Sequence, residues 1–286
     1  MMFKYIGAAV GRCAGIAGCG RAPDLIYDSF PHLKNNWQTT VRYKKEETDS
    51  HNSVDLLKIF SEQLASEVKN IVQSGDQFIT FGGDHSCAIG TWSGVAECYD
   101  EFGLLWIDAH MDAHTEETSP TGNYHGMPVA ILLGHGNSEL VNICSKPAKV
   151  KPENIQMIGV RSYEPHEKAL LDSLGVKYYE MPEVKQRGFD ACFDQVLNDF
   201  SKKGLKFGIS IDLDGLDTGD IKALGTPVDD GIRLNDLIQA LYHCSSQDLI
   251  GVEIAEYNPT LDTEDYQDIK VIDRIVQCMT AKNSEF

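Results

Sequence analysis

Short runs rich in β-branched and aromatic residues alternate with segments whose apolar residues recur at helical spacing, and this alternation restricts the possible folds more than any other feature of the chain. The runs Gln77 to Phe81, Phe102 to Ile107, Asn154 to Val160, Lys177 to Tyr179, Lys206 to Ile211 and Leu249 to Ile254 read as strands. Between them, Leu56, Leu57, Phe60, Leu64, Val68 and Val72, and later Phe193, Val196, Leu197 and Phe200, mark the apolar faces of helices. Such alternation predicts an α/β protein with a three-layer αβα arrangement, its mainly parallel central sheet covered by helices on both faces. The continuous apolar run Phe102 to Ile107 suits a central strand, buried on both sides. Tyr43 to Ser53 is polar and charged and is expected to be a surface loop. The 286 residues suffice for one domain spanning residues 1–286, and neither repeats nor a long Pro/Gly/Ser-rich linker suggest a second.

Charge narrows the partners. Against 25 basic residues stand 43 acidic ones, a net charge of −18 that repels phosphate backbones and anionic lipid, so neither nucleic acid nor a membrane is expected. The eight cysteines contain no C-x-x-C pair, so reduced and mostly buried thiols are expected. Arg12, Arg21 and four glycines interrupt the apolar N-terminal stretch, which is therefore not read as a signal peptide. No segment approaches the ~20 apolar residues that span a bilayer. A soluble, cytoplasmic protein is the expectation.

The unusual residues stand where the apolar runs end. Phe81 runs into GGDHS (82–86), Trp106 into IDAHMDAH (107–114), Ile209 into SIDLDGLD (210–217) and Val252 into EIAEYNP (253–259). In parallel sheets ligands bind beyond the carboxyl ends of the strands. Residues two apart on a strand share a face, so Asp108, His110 and Asp112 are expected to converge, as are Asp212 and Asp214. Crowding unpaired carboxylates at one edge costs several kcal/mol per ion, and no cluster of Lys or Arg stands nearby in the sequence to offset it. Divalent cations would. Two imidazoles (His85, His110) and four carboxylates (Asp108, Asp112, Asp212, Asp214) exceed what one tetrahedral zinc can use, which points to two metals sharing bridging aspartates. The oxygen-rich set favours Mn²⁺, while imidazole also suits Zn, Fe, Co and Ni. A lone D-x-D is common and a strand-end aspartate often only caps the next helix; it is the joint occurrence of these motifs that argues for metal.

Taken in order, GGDHS, DAH-x-D, HGMP and S-x-D-x-D-x-x-D resemble the ureohydrolases, the arginase and agmatinase superfamily, and the resemblance runs from the glycine-rich N-terminal segment to Asp262. It implies two Mn²⁺ ions per subunit, one held by His85, Asp108, Asp112 and Asp212 and the other by Asp108, His110, Asp212 and Asp214, with Asp108 and Asp212 bridging. It further implies hydroxide attack on a guanidino carbon, Glu256 pairing with the substrate guanidinium, Asp112 transferring a proton locally and His125 shuttling one to the leaving amine. Thr226, in LGTP, would contact the guanidino end. Proteins of this kind are usually homotrimers or homohexamers.

The resemblance also speaks to the substrate. The loop TEETSPTGNY is similar to the arginase loop that binds an α-carboxylate, with Ser119, Thr121 and Asn123 at the matching positions, and Glu164 and Glu167 match acids that receive the α-ammonium group. L-arginine is therefore expected, since agmatine would leave the carboxylate donors unpaired. His114 departs from the pattern, standing where an asparagine usually helps hold the carboxylate, though histidine can still donate. Glu164 is longer than the usual aspartate, and DTGDIKALGTPVDDG differs from the family's counterpart; Asp229 and Asp230 within it read as solvated loop acids. The alternatives are an agmatinase, guanidinobutyrase or formimidoylglutamase, and more distantly a metal-dependent deacetylase or a non-catalytic binding protein.

Overall fold

In the computed structural model, which describes residues 2–44, 53–144, 146–244 and 247–280, eight strands share one sheet. They are β1 (Phe3–Ala9), β2 (Trp37–Arg42), β3 (Gln77–Phe81), β4 (Gly103–Ile107), β5 (Ile155–Val160), β6 (Lys177–Glu180), β7 (Phe207–Asp212) and β8 (Leu249–Ala255). Their order is β2-β1-β3-β8-β7-β4-β5-β6, and every pairing is parallel. Parallel neighbours need long crossover connections, which the intervening helices supply. All six strands read from the sequence are present, with ends displaced by no more than one residue.

Strand alternation divides the interior into two cores, one on each face of the sheet. Phe78, Leu104 and Trp106 face one core, where they meet the helices Ser53–Gln73 and Cys87–Ala96. Ile79, Phe81, Leu105 and Ile107 face the other, against the helices Phe189–Lys202, Leu234–His243 and Ile269–Thr280. The expected helix faces are the ones buried: Leu56, Leu57, Phe60, Leu64, Val68 and Val72 on the first helix, and Phe193, Val196 and Phe200 on the later one, with Leu197 partly covered. Three αβα layers result.

Two strands were not anticipated. β1 contains Gly7, Ala8 and Ala9, all of low strand propensity, and their small size serves packing. A Cβ on Gly7 would come within 2.7 Å of Thr40 on β2 and 2.9 Å of Pro23. β2 is a half-exposed edge strand with polar residues, so its period-2 signal is weak until β1 is there to pair with it. Of the surface loop expected over Tyr43 to Ser53, residues 45–52 lie outside the described residues; Tyr43 packs on Phe60, ring centroids 5.3 Å apart, and Ser53 already belongs to a helix. The eight cysteines form no disulfide among the described residues, and six are buried, as expected.

Close approach of helix to sheet is tested most directly at Gly208 in β7, where a Cβ would fall 2.1 Å from the ring of the fully buried Trp92. Gly208→Ala should destabilise the protein by roughly 1–3 kcal/mol through overpacking. The expected observation is a lower urea midpoint at unchanged m-value; an unaltered midpoint would show that the Trp92 layer yields.

Candidate metal centre

Sheet order explains why motifs far apart in sequence meet. β3, β8, β7, β4 and β5 are consecutive neighbours, so the four acidic strand ends and the segment after β5 emerge side by side, about 4.8 Å apart, at the carboxyl edge. The chain passes from β3 to β4 and later returns to insert β7 and β8 between them, making the crevice where ligands bind in such sheets.

His85 follows β3, fully buried and stacked on Trp106 with ring centroids 4.3 Å apart. Its Nε2 lies 2.9 Å from Ser210 Oγ, and that hydroxyl donates to Glu253 Oε1 at 3.0 Å. The serine oxygen is thus left to accept from Nε2–H, and the Nδ1 lone pair points into the site. Nδ1 sits 2.9 Å from Asp212 Oδ2, 3.0 Å from Asp112 Oδ2 and 3.3 Å from Asp108 Oδ2. Despite these distances, His85 Nδ1 and Asp112 Oδ2 are both buried without a hydrogen-bond partner among the described residues. One nitrogen and three carboxylate oxygens so arranged form a donor set that a divalent cation satisfies.

A second group adjoins it. His110 Nδ1 lies 3.1 Å from Asp214 Oδ2 and 3.6 Å from Asp108 Oδ1. The ligand atoms of His85, Asp108, Asp112 and Asp212 lie within 4.8 Å of one another, as do those of Asp108, His110 and Asp214. Asp108 belongs to both groups. Asp212 belongs to the first alone, its Oδ1 accepting the Asp214 N–H at 2.8 Å. Asp108 itself is fixed by the Trp106 indole at 2.8 Å and the His110 N–H at 2.6 Å, and Asp214 by Thr226 Oγ1 at 3.0 Å.

The convergence of Asp108, His110 and Asp112 has a different cause from the strand alternation expected for it. β4 ends at Ile107, and the chain beyond it turns, with Asp112 in the left-handed region at φ 49°. A non-glycine residue is rarely held there without surrounding support; here Val129 N donates to the Asp112 carbonyl at 2.9 Å. Arg161, also unforeseen, donates through its guanidinium to the carbonyls of Gly159, Asp214, Gly215, Leu216, Val228 and Asp229. It braces the loops carrying Asp214 and Thr226 and spends its donors on backbone, and among the described residues no lysine or arginine pairs with the four acids.

The charges strain against one another. Burial, then the Asp108 charge, pushes the Asp112 carboxyl up to about 7, and burial with Asp214 and Asp108 raises Asp212 well above the ordinary carboxylate range. Burial opposes ionisation of Asp108 too, but His110 and His85 outweigh it and hold its pKa low. For both imidazoles burial favours the neutral form and is overcome by carboxylates, Asp212 beside His85 and Asp214 beside His110, which raise their pKa.

A cavity of about 190 Å³ opens over these groups, lined by His110, Asp112, Asp212, Asp214, His125 and Thr226 at the metal ligands and by Ser119, Thr121, Asn123, His114, Glu164 and Glu167 around the remainder. His85, Asp108 and Glu256 are buried and do not line it. Glu256 directly follows β8, at φ 70°; no helix begins there, so it is not a helix cap. Its Oε1 accepts from His85 N at 2.7 Å and His125 Nδ1 at 3.2 Å, and its Oε2 lies 3.6 Å from the Cys19 thiol. Burial opposes both shifts in this pair, yet Glu256 is lowered by His125 and His125 is raised by Glu256 to about 9.

Elsewhere in the cavity, Ser119 Oγ and Thr121 Oγ1 accept backbone N–H bonds from Gly122 and Asn123 at 2.9 and 3.2 Å, leaving each hydroxyl hydrogen to donate outward. Glu164 and Glu167 form a reciprocal capping box at the start of the helix Pro165–Leu174. Burial, then the bond to Glu164, pushes Glu167 up to about 8. His114 faces these acids: Nε2 is 2.9 Å from Glu164 Oε2 and 3.4 Å from Glu167 Oε2, and Nδ1 is 3.1 Å from Thr118 Oγ1. Asp229 and Asp230 are exposed loop acids, as expected. Ser162, Ser210, Glu253 and Trp106 were not singled out beforehand. Of these only Glu253 carries a signal, an acid inside the apolar run of β8.

A parallel αβα sheet carrying two histidine–carboxylate groups that share an aspartate defines a metal-binding enzyme of the α/β class. Residues 4–281 match the model of the Arginase family. Arginase of Bacillus caldovelox is 40% identical over 203 residues, covering 71% of this chain and 68% of that one, and arginase of Brevibacillus brevis is 38% identical over 226 residues, covering 79% and 76%. The crystal structure of arginase from Bacillus subtilis superposes with a TM-score of 0.89 over 98% of both chains, at 31% identity. The chain belongs to the arginase family.

Without metal, the raised carboxyls dictate the pH dependence of stability. Asp112 and Glu167 have folded pKa values of about 7 and about 8 against ordinary values of 3.8 and 4.5. The folded state therefore binds more protons than the unfolded one between those limits, and stability present below them is lost as pH rises. His125, raised from 6.5 to about 9, acts in the same direction. The melting temperature of metal-stripped protein should fall between about pH 5 and pH 8. The gain from added Mn²⁺ should be larger at the upper end, because ligands already deprotonated cost nothing to ionise. A melting temperature of stripped protein that climbs over this interval would contradict the assignment.

Proposed function

We propose that this protein is a hydrolase cleaving the guanidino group of L-arginine to L-ornithine and urea. The observation that carries the reading is the pair of histidine–carboxylate groups sharing Asp108 at the floor of a cavity whose remainder offers hydroxyls on one loop and glutamates on another helix. His85, Asp108, Asp112 and Asp212 would hold one cation, and His110, Asp214 and Asp108 the other, with Mn²⁺ as the proposed metal. Two divalent cations supply, when bound, hydroxide near neutral pH and stabilisation of developing negative charge.

The protein's own groups do the rest. Glu256, kept ionised by His125, accepts N–H bonds from the guanidinium and orients its carbon. Asp112 would take a proton locally, and His125, raised to about 9 by Glu256, can deliver one to the departing amine. Ser119, Thr121 and Asn123 would donate to an α-carboxylate, Glu164 and Glu167 would accept from an α-ammonium, and Thr226 would touch the guanidino end. Because His114 turns toward the acids rather than the loop hydroxyls, a second reading is a substrate with the ammonium but no carboxylate, agmatine. No helix among the described residues is long and apolar enough to cross a membrane; a cytoplasmic location and a trimeric or hexameric assembly are proposed from the resemblance.

The test is urea release by Mn²⁺-loaded protein from L-arginine, agmatine and 4-guanidinobutyrate, and formamide release from N-formimidoyl-L-glutamate. Arginine should be turned over best, and silence on all four would sink the proposal. Asp108→Ala should bind less metal than Asp212→Ala, since Asp108 serves both groups. Glu256→Gln should keep the metal and lose about 10²–10³-fold in kcat/KM, as when one partner of a buried charge pair is removed; a loss under tenfold would take Glu256 out of substrate binding.

A further inference from the structure

Glu164 is unlike the two groups it meets in the cavity wall. Its side chain is 54% exposed, whereas those of His114 and Glu167 are 8% and 4% exposed. A glutamate in that position has three rotatable bonds and loses rotamer freedom when held in one place. The capping box ties it at the helix start, Glu167 N–H meeting its carboxylate and Glu164 N meeting Glu167 Oε2 at 2.9 Å. Two side chains meet its carboxylate, the Glu167 carboxyl when that group carries its proton, and His114 through Nε2 at 2.9 Å.

The imidazole is itself fixed. A carboxylate can only accept, so the 2.9 Å contact requires a proton on His114 Nε2, while Nδ1 lies within hydrogen-bond distance of the Thr118 hydroxyl at 3.1 Å. Thr118 Oγ1 is itself held by the Thr115 N–H at 2.9 Å, with the Thr115 carbonyl at 3.4 Å. A connected set of hydrogen bonds thus runs from Thr115 through Thr118 and buried His114 to the exposed carboxylate. Both ring nitrogens are engaged, Nε2 with the acids and Nδ1 with Thr118 at the near end of the loop, and neither bonds to Ser119, Thr121 or Asn123.

We infer that His114 is a positioning residue that holds Glu164 over the cavity to receive the ammonium group of the substrate's tail, and that it takes no part in binding the tail carboxylate. This rests on the proposed use of the cavity for an amino-acid tail. The half-exposed Glu164 would otherwise turn to water, and only a carboxylate already in place repays the desolvation of an incoming ammonium.

Three compounds that are not hydrolysed separate the possibilities: L-ornithine, 1,4-diaminobutane (ornithine without its carboxylate) and 5-aminopentanoate (ornithine without its α-ammonium). Their dissociation constants would be measured by calorimetry on Mn²⁺-loaded protein. His114→Ala should weaken ornithine and 1,4-diaminobutane by about tenfold, the loss of one charge-assisted hydrogen bond, and leave 5-aminopentanoate within about twofold. His114→Gln, which keeps bulk and places an amide N–H near the Nε2 position, should restore most of the affinity. In a Glu164→Gln background, His114→Ala should have no further effect on 1,4-diaminobutane. Weakened 5-aminopentanoate with 1,4-diaminobutane unaffected would assign His114 to the carboxylate and overturn the inference. Equal losses on all three would reduce it to packing, and wild-type protein that binds none of them would also refute it. The expected pattern in a protein that releases no urea from arginine would instead refute the proposed reaction and leave the role of His114 standing.

Discussion

Mutual repulsion among Asp108, Asp112, Asp212 and Asp214 is the interaction on which the rest of this structure depends. Among the described residues no lysine or arginine forms an ion pair with them; Arg161 is committed to backbone carbonyls. Two imidazoles stand among the carboxylates, and the Ser210–Glu253 relay behind His85 favours its carrying a lone pair inward. The consequence is a fold whose carboxyl edge is poorly satisfied by itself and well satisfied by divalent cations, so that binding free energy for metal is also stabilisation of the fold.

Rigid surroundings make this tension usable. The ligands sit on short segments directly after buried strands, and His85 is sandwiched against Trp106, which also anchors Asp108. Asp112 and Glu256 both occupy left-handed backbone conformations that bulky residues adopt only when their surroundings impose them. The side chains at those two positions are the ones for which a proton and a guanidinium, respectively, have been proposed as partners.

Away from the metals, the cavity wall divides into two chemically distinct parts. Hydroxyls of Ser119 and Thr121 are oriented by backbone donors so that their hydrogens face outward, while Glu164 and Glu167 are oriented by a helix start. His114 connects with the acidic part. On the proposed reading, recognition of the tail would depend on how one exposed glutamate is held, a narrower requirement than the number of polar residues around the cavity suggests.

Much of this was legible in the residues. The alternation of apolar runs was enough for six strands and the αβα layering, because parallel strands buried on both faces announce themselves as continuous apolar segments, and the strand-end motifs were enough for every histidine and aspartate of the two metal groups. β1 and β2 were not legible, because glycine and alanine in one and exposed polar residues in the other carry little strand signal before the two are paired. Ser210 and Trp106 were not singled out, since a serine or tryptophan in an apolar strand looks like core until its neighbour is known. Sequence by itself determined which residues are candidate ligands and that they follow strands, through residue type and periodicity. Only the tertiary structure decided that β7 and β8 lie between β3 and β4, that Asp112 arrives by a left-handed turn, and that His114 faces Glu164, because each depends on contacts between segments distant along the chain.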